Sequence, residues 1–205
     1  MTTYSDKTGT NYQFGVGVSR NIWKELTLNL DFIYSLHKFS RTEQFDINLD
    51  DSKVTPVKTA VEERLKKIDF PVSFTYSFGK GNLSYFVRLG GVVSYITKSS
   101  LNLSKTYVNG TTLSKSNYNI KELRPNYYLG ALGGLGVQYK VPRGYFVLDF
   151  RYHYGFQNMS VGDNKFKDTQ LWSNYYYLDN NFCLDYLSIN VGYHFTIYQS
   201  RKNRN

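Results

Sequence analysis

The sequence predicts an all-β protein, an antiparallel up-and-down transmembrane β-barrel of about eight strands, seven of them recognisable. Three observations carry this. Successive segments alternate apolar and polar residues with period two, the signature of a strand whose side chains point to opposite faces. Aromatic residues make up 18% of the 205, with 20 Tyr and 14 Phe, against only 20% charged, a strand-rich balance. Connections between the segments are alternately short and long, as in barrels with tight turns on one side of a bilayer and long loops on the other.

Taken in order, Asn11 to Ser19 sets Tyr12, Phe14, Val16 and Val18 against Gln13, Gly15, Gly17 and Ser19. A link at residues 20–25 leads into the clearest segment, Leu26 to His37. There Leu26, Leu28, Leu30, Phe32, Tyr34 and Leu36 oppose Thr27, Asn29, Asp31, Ser35 and His37, with Ile33 the exception. Residues 38–67 are polar and read as a mobile loop with strand extensions at its stem. Ile68 to Phe78 resumes the alternation; Pro71 lacks a ladder donor and is expected near a rim or an edge. The turn Gly79-Lys80-Gly81-Asn82 makes a hairpin with Leu83 to Tyr95.

A second polar insertion spans residues 98–126 and carries the turn signal Asn109-Gly110. Tyr127 to Tyr139 and Tyr145 to Phe156 form the next pair, joined through Pro142-Arg143-Gly144. A third long loop, 157–185, precedes the last segment, Leu187 to Ile197. The expected organisation is an N-terminal extension or loop remnant at 1–10, a barrel at 11–198 and a basic periplasmic tail at 199–205. Seven strands leave the first one descending from the long-loop side without an upward neighbour. Bacterial barrels of this kind have even counts, so a strand is expected ahead of Met1, in the unrecognised N-terminal segment, or from a neighbouring subunit.

Alternation alone suits a soluble lipocalin-like barrel as well as a membrane one, and the composition of the faces decides. The polar face is Ser, Thr, Asn and Gly with few charges, fitting a narrow lumen filled by side chains. The apolar face places Trp23, Phe78, Tyr85, Tyr139, Phe146 and Phe195 at the short-turn side. Tyr34, Tyr95, Tyr127 and Tyr154 stand at the other, with aliphatic residues between, a pattern matched to bilayer interfaces and centre. A mean hydropathy of -0.46 is no objection, because membrane strands need only alternate. No run of 18 apolar residues occurs and the N-terminus lacks a signal-peptide pattern. The net charge of +9 is dispersed over loops and tail, so nucleic acid is not an expected partner.

The glycine-rich, aromatic-alternating segments Tyr12 to Ser19, Leu26 to His37, Asp69-Phe70-Pro71-Val72 and Leu187 to Phe195 resemble the PorT-like outer-membrane barrel domain of Bacteroidota. That resemblance, over about residues 11–197, implies an eight-stranded barrel in the bacterial outer membrane. Some members are linked to protein secretion across that membrane.

Chemistry on the polar face is sparse. Asp31, Asp69, Arg88, Asp149 and Arg151 share it and are expected to pair as a structural ionic network, since an isolated buried charge is costly. His37, His153 and His194 lie on separate strands without ligand spacing, so no metal, cofactor or catalytic set is assigned. Asp46 to Val57 lacks the Gly and Glu of a calcium loop. Cys183 is the single cysteine and offers no disulfide. Trp172, Tyr175, Tyr176 and Tyr177 cluster in the third loop as candidate contacts. The expected function is a non-enzymatic scaffold or subunit of an envelope or secretion assembly. Its partners would be outer-membrane lipid and other envelope proteins. A small pore or ligand-binding barrel is the alternative, ahead of a rim-active hydrolase.

Overall fold

The computed structural model describes residues 3–8, 11–50, 53–79, 81–107, 110–161 and 181–196. Its strands are β1 (Thr3–Thr8), β2 (Tyr12–Asn21), β3 (Leu26–Asp50), β4 (Lys53–Phe78), β5 (Leu83–Thr106), β6 (Thr112–Asn119), β7 (Tyr127–Val141), β8 (Gly144–Gly155) and β9 (Tyr186–Phe195). All pair antiparallel in one sheet, in the order β1-β3-β4-β5-β7-β8-β9, with β2 also on β3 and β6 also on β5. Because β1 and β2 pair with successive stretches of β3, and β6 and β7 with successive stretches of β5, the nine strands occupy seven columns. The sheet curls into an incomplete barrel. Side chains from β3, β5 and β8 meet across its interior.

The alternation read from sequence is the inside–outside pattern. Along β8 the inward residues Val147, Asp149, Arg151 and His153 are buried, while Phe146, Leu148, Phe150, Tyr152 and Tyr154 are exposed. Ile33, the exception in its segment, points inward and is buried.

Two of the expected loops are strand. Residues 38–50 and 53–67 are the outer halves of β3 and β4, in register from Lys38↔Arg64 to Asp50↔Lys53. Much of 98–126 is the outer half of β5, then β6 and a 3-10 turn at Lys121–Leu123. At roughly 3.3 Å per residue, strands of 24 to 26 residues far exceed the 9–11 or so needed to cross a bilayer. The hairpins therefore continue well beyond it.

A bulge marks the junction. Lys66 pairs with Lys98 but Lys67 with Ile96, leaving Thr97 as the extra residue, and its hydroxyl donates to the Lys66 carbonyl at 3.0 Å. On β5 the buried set changes parity there, from Val92, Ser94 and Ile96 to Ser99, Leu101 and Leu103, because one inserted residue reverses every following side chain.

Pro71 corrects another expectation: it lies in a central strand, fully buried and facing the interior. Its missing N–H is accommodated because the β3–β4 pairing passes from Leu30↔Val72 to Ile33↔Asp69, while Pro71 stays in register with Val92 of β5.

Candidate functional site

Where the exposed face has equivalent aromatics, the register lines them up. At the short-turn end Phe78 faces Tyr85, Tyr139 faces Phe146, and Phe146 faces Tyr193, with ring centroids 6.1 Å apart in the first pair and 5.0 Å in the last. At the long-loop end Tyr95 pairs with Tyr127 at 5.4 Å. Between these rows Val87, Leu135 and Leu148 are exposed. An apolar sheet face this large, banded by aromatics, is a lipid contact surface.

The interior is built in tiers, and the inward residues of β4 climb through them all. Nearest the short turns, Arg88 of β5 lies between Asp31 of β3 at 3.6 Å and Asp149 of β8 at 3.7 Å. Arg151 holds Asp149 through Nε at 3.0 Å and Nη2 at 2.8 Å, and reaches Asp31 at 3.7 Å. Asn190 of β9 donates to Asp149 at 2.6 Å. Small residues make room: a Cβ on Gly134 or Gly136 of β7 would press on Arg151 or on Phe86 and Asp149. Beside this network, Asn29, Thr75, Arg88, Gln138, Tyr145 and His194 border a cavity of about 20 Å³, space for about one water molecule.

Above it, Lys67 donates to both Asp69 oxygens at 2.7 Å, and Ser35 and Ser94 also donate to that carboxylate. Asp69 thus pairs apart from the other four predicted charges. Its partner Lys67 escaped sequence analysis, which ended a loop there; the signal was its i−2 spacing from Asp69 on one strand face. Lys67 also contacts Tyr186, whose ring stacks on His153 at 4.3 Å and meets His37 edge-on at 4.6 Å. Neither imidazole has a hydrogen-bond partner among the described residues.

Next outward is an apolar seal of Leu65, Ile96, Tyr128, Met159 and Leu184, packed by Phe39 and Phe182. The Tyr128 hydroxyl takes the Leu184 N–H at 2.8 Å and donates to the Leu184 carbonyl at 3.2 Å, tying β7 to the approach to β9. Beyond the seal Arg124 grips Glu63 with Nε at 2.8 Å and Nη2 at 2.7 Å, and Ser99 adds a donor at 2.6 Å. A second apolar cluster, Val61, Leu101, Leu103, Ile120 and Leu123, gives the outer extension its own core. Here the Arg64 guanidinium, donating at 2.7 Å, holds the Glu62 carboxyl below the usual carboxylate range.

Trp172 and Tyr175 to Tyr177 lie outside the described residues, as does the basic tail. Among the described residues no group of three His, Cys, Asp or Glu side chains is placed to hold a metal. What the arrangement offers chemically is a bore crossed by paired charges, stoppered by hydrocarbon on one side, within a wall facing lipid. Comparison with curated proteins found no match. The family model described as outer membrane protein beta-barrel domain matches residues 2–161, most of the chain, and the protein belongs to that family as an integral barrel of the bacterial outer membrane.

Proposed function

We propose that this barrel is a non-enzymatic scaffold or subunit of an envelope assembly, of the kind that supports secretion. Its membrane part acts as an anchor, and its outer strand extension is the surface that partners contact. The observation that carries the reading is the filled interior. Arg88, Arg151, Asp31 and Asp149 join three strands across the bore, and the apolar seal lies outward of them. A barrel of so few strands has little lumen to spare, so a conducting path would have to break paired, buried charges. The resemblance of its strands to the PorT-like domain supports the assembly role.

The test is twofold. Purified protein in planar bilayers is expected to give no steady conductance, and sustained single-channel openings would favour the small-pore alternative. Photo-crosslinking residues at Arg64 and Lys98, exposed on the outer extension, are expected to capture other envelope proteins in intact cells. Capture of none, with crosslinking from lipid-facing positions instead, would remove the scaffold reading.

A further inference from the structure

The outward face changes character abruptly above the long-loop aromatics. Tyr34, Ile68, Tyr95 and Tyr127 form one row across β3, β4, β5 and β7 by register. One step further out, roughly 7 Å along the strands, the row reads Leu36, Lys66 and Lys98. The next pairs Lys38 with Arg64. Residues directly opposite across two strands share a face of the sheet, and Arg64, Lys66 and Lys98 are exposed on it. Phe39 packs inward on the apolar seal, which turns its neighbour Lys38 to the same outward face. Lys121 completes the group from the 3-10 turn, with its Nζ 5.6 Å from the centre of the Tyr95 ring and 2.9 Å from the Asn126 side-chain oxygen.

Like charges directly opposed across two strands destabilise a sheet, and here Lys66 with Lys98 and Lys38 with Arg64 stand in adjacent outward rows. The neighbouring acid does not relieve both pairs. Glu62 accepts from Arg64 at 2.7 Å and from Asn102 at 3.2 Å, while the Lys66 and Lys98 ammonium groups have no hydrogen-bond or ion-pair partner among the described residues. The bulge is part of the arrangement. Strict alternation from the buried Ile96 would carry Lys98 into the interior, and the inserted Thr97 sets it outward beside Lys66 instead.

Cations at that height call for anions, and the membrane supplies them. The outer leaflet of a bacterial outer membrane presents glycolipid phosphates just outside its acyl chains, and clusters of Lys and Arg against a membrane surface recognise phosphorylated headgroups. The acidic surface of a protein fits less well, because these rows adjoin the aromatics that mark the headgroup boundary, a depth that lipid occupies. We propose that Lys66 and Lys98, flanked by Lys38, Arg64 and Lys121, bind the phosphates of an outer-leaflet glycolipid. Its acyl chains lie below against the exposed row Phe70, Val93 and Leu129. The site stands on the membrane placement of the sheet and needs no protein partner. An uncharged crosslinking residue at Arg64 or Lys98 would itself weaken it, so protein capture from those positions is read apart from lipid binding by the intact chain.

The test is native mass spectrometry of the folded protein in a neutral detergent, titrated with diphosphorylated lipid A, lipid A stripped of phosphate, phosphatidylglycerol and inorganic phosphate. Lipid A is expected to bind about 10-fold or more tightly than its dephosphorylated form. Lys66→Gln combined with Lys98→Gln is expected to lose about 10- to 30-fold in affinity, and Lys66→Arg combined with Lys98→Arg to retain it. Lys58→Gln, at an exposed cation further out on β4, is expected to leave binding unchanged. Urea midpoints give a second readout that a folding defect cannot mimic. Because the double Gln variant sheds repulsion, it is expected to be at least as stable as the wild type in phosphatidylcholine vesicles and less stable once lipid A is added. Equal binding of phosphatidylglycerol or of dephosphorylated lipid A, undiminished binding by the double Gln variant, saturation by inorganic phosphate alone, or a double Gln midpoint no lower than the wild type's with lipid A present would overturn the proposal.

Discussion

Arg151→Met is the most informative single change. It removes three N–H contacts from Asp149, at 2.8, 3.0 and 3.0 Å, and leaves a carboxylate that is 1% exposed. What remains to it are the Asn190 amide at 2.6 Å and Arg88 at 3.7 Å. Removing one partner of a buried pair costs about 3–5 kcal/mol; the remaining partners place the expected loss near the lower figure. The double variant Asp149→Asn, Arg151→Met carries no orphan charge, and the introduced amide oxygen can still accept from Asn190. Its loss is expected to be smaller than that of Arg151→Met, by about 1–2 kcal/mol. The assay is urea unfolding in phospholipid vesicles, followed by tryptophan fluorescence and by gel mobility without heating. If the single variant loses under about 1 kcal/mol, or the double loses the sum of two independent singles, the pair is not the tie across the bore described above.

Other outcomes follow from the same geometry. Leu135→Arg, in the middle of the lipid face between Val87 and Phe150, is expected to cost about 2–4 kcal/mol, and Tyr139→Arg in the aromatic row at most about 1, by the same unfolding measurement. A Cβ at Gly155 would overlap the Tyr128 hydroxyl, so Gly155→Ala is expected to break the bonds to Leu184 at a cost of about 1–3 kcal/mol. The cost should shrink in a Tyr128→Phe background; an unchanged cost in that double-mutant cycle would place the strain elsewhere. Because Arg64 lowers the folded-state pKa of Glu62, the associated stabilisation is complete above the unfolded pKa and fades as pH falls through the folded one. Glu62→Gln is therefore expected to lose less stability on acidification than the wild type, compared by urea midpoints at neutral and acid pH.

What could be read without coordinates followed the bilayer. In Leu26 to His37 and Tyr145 to Phe156 one face meets lipid and the other a polar interior, so hydrophobicity itself reports direction. Past the membrane both faces of β3 and β4 meet water or a small local core, and the contrast fades, which is why two strand extensions resembled loops. A trace persisted: Val61, Glu63, Leu65 and Lys67 keep the period-two inward set of Asp69 to Thr75, but two of the four are charged and only their partners Arg124 and Asp69 explain them. Four of the five predicted lumen charges form one network, since shared strand faces bring them together. Which of them would pair was not legible, because it depends on the stagger between strands. The alternation of β7 sets Tyr128 on the face opposite Tyr127 and Leu129, and it is buried there; Met159, just past β8, and Leu184, on the irregular approach to β9, lie where no periodicity marks an inward position.

The extra residue at Thr97 carries a consequence for anyone varying this protein. Substitution tolerance along β5 should switch from odd to even positions at that point, so a rule learned on one half of the ribbon inverts on the other. Deleting Thr97 would make Ile96↔Lys67 and Lys98↔Lys66 consecutive pairs and leave Ser99, Leu101 and Leu103 inward, so a single-codon loss there would straighten the ribbon while sparing both the outer collar and the wall beneath it.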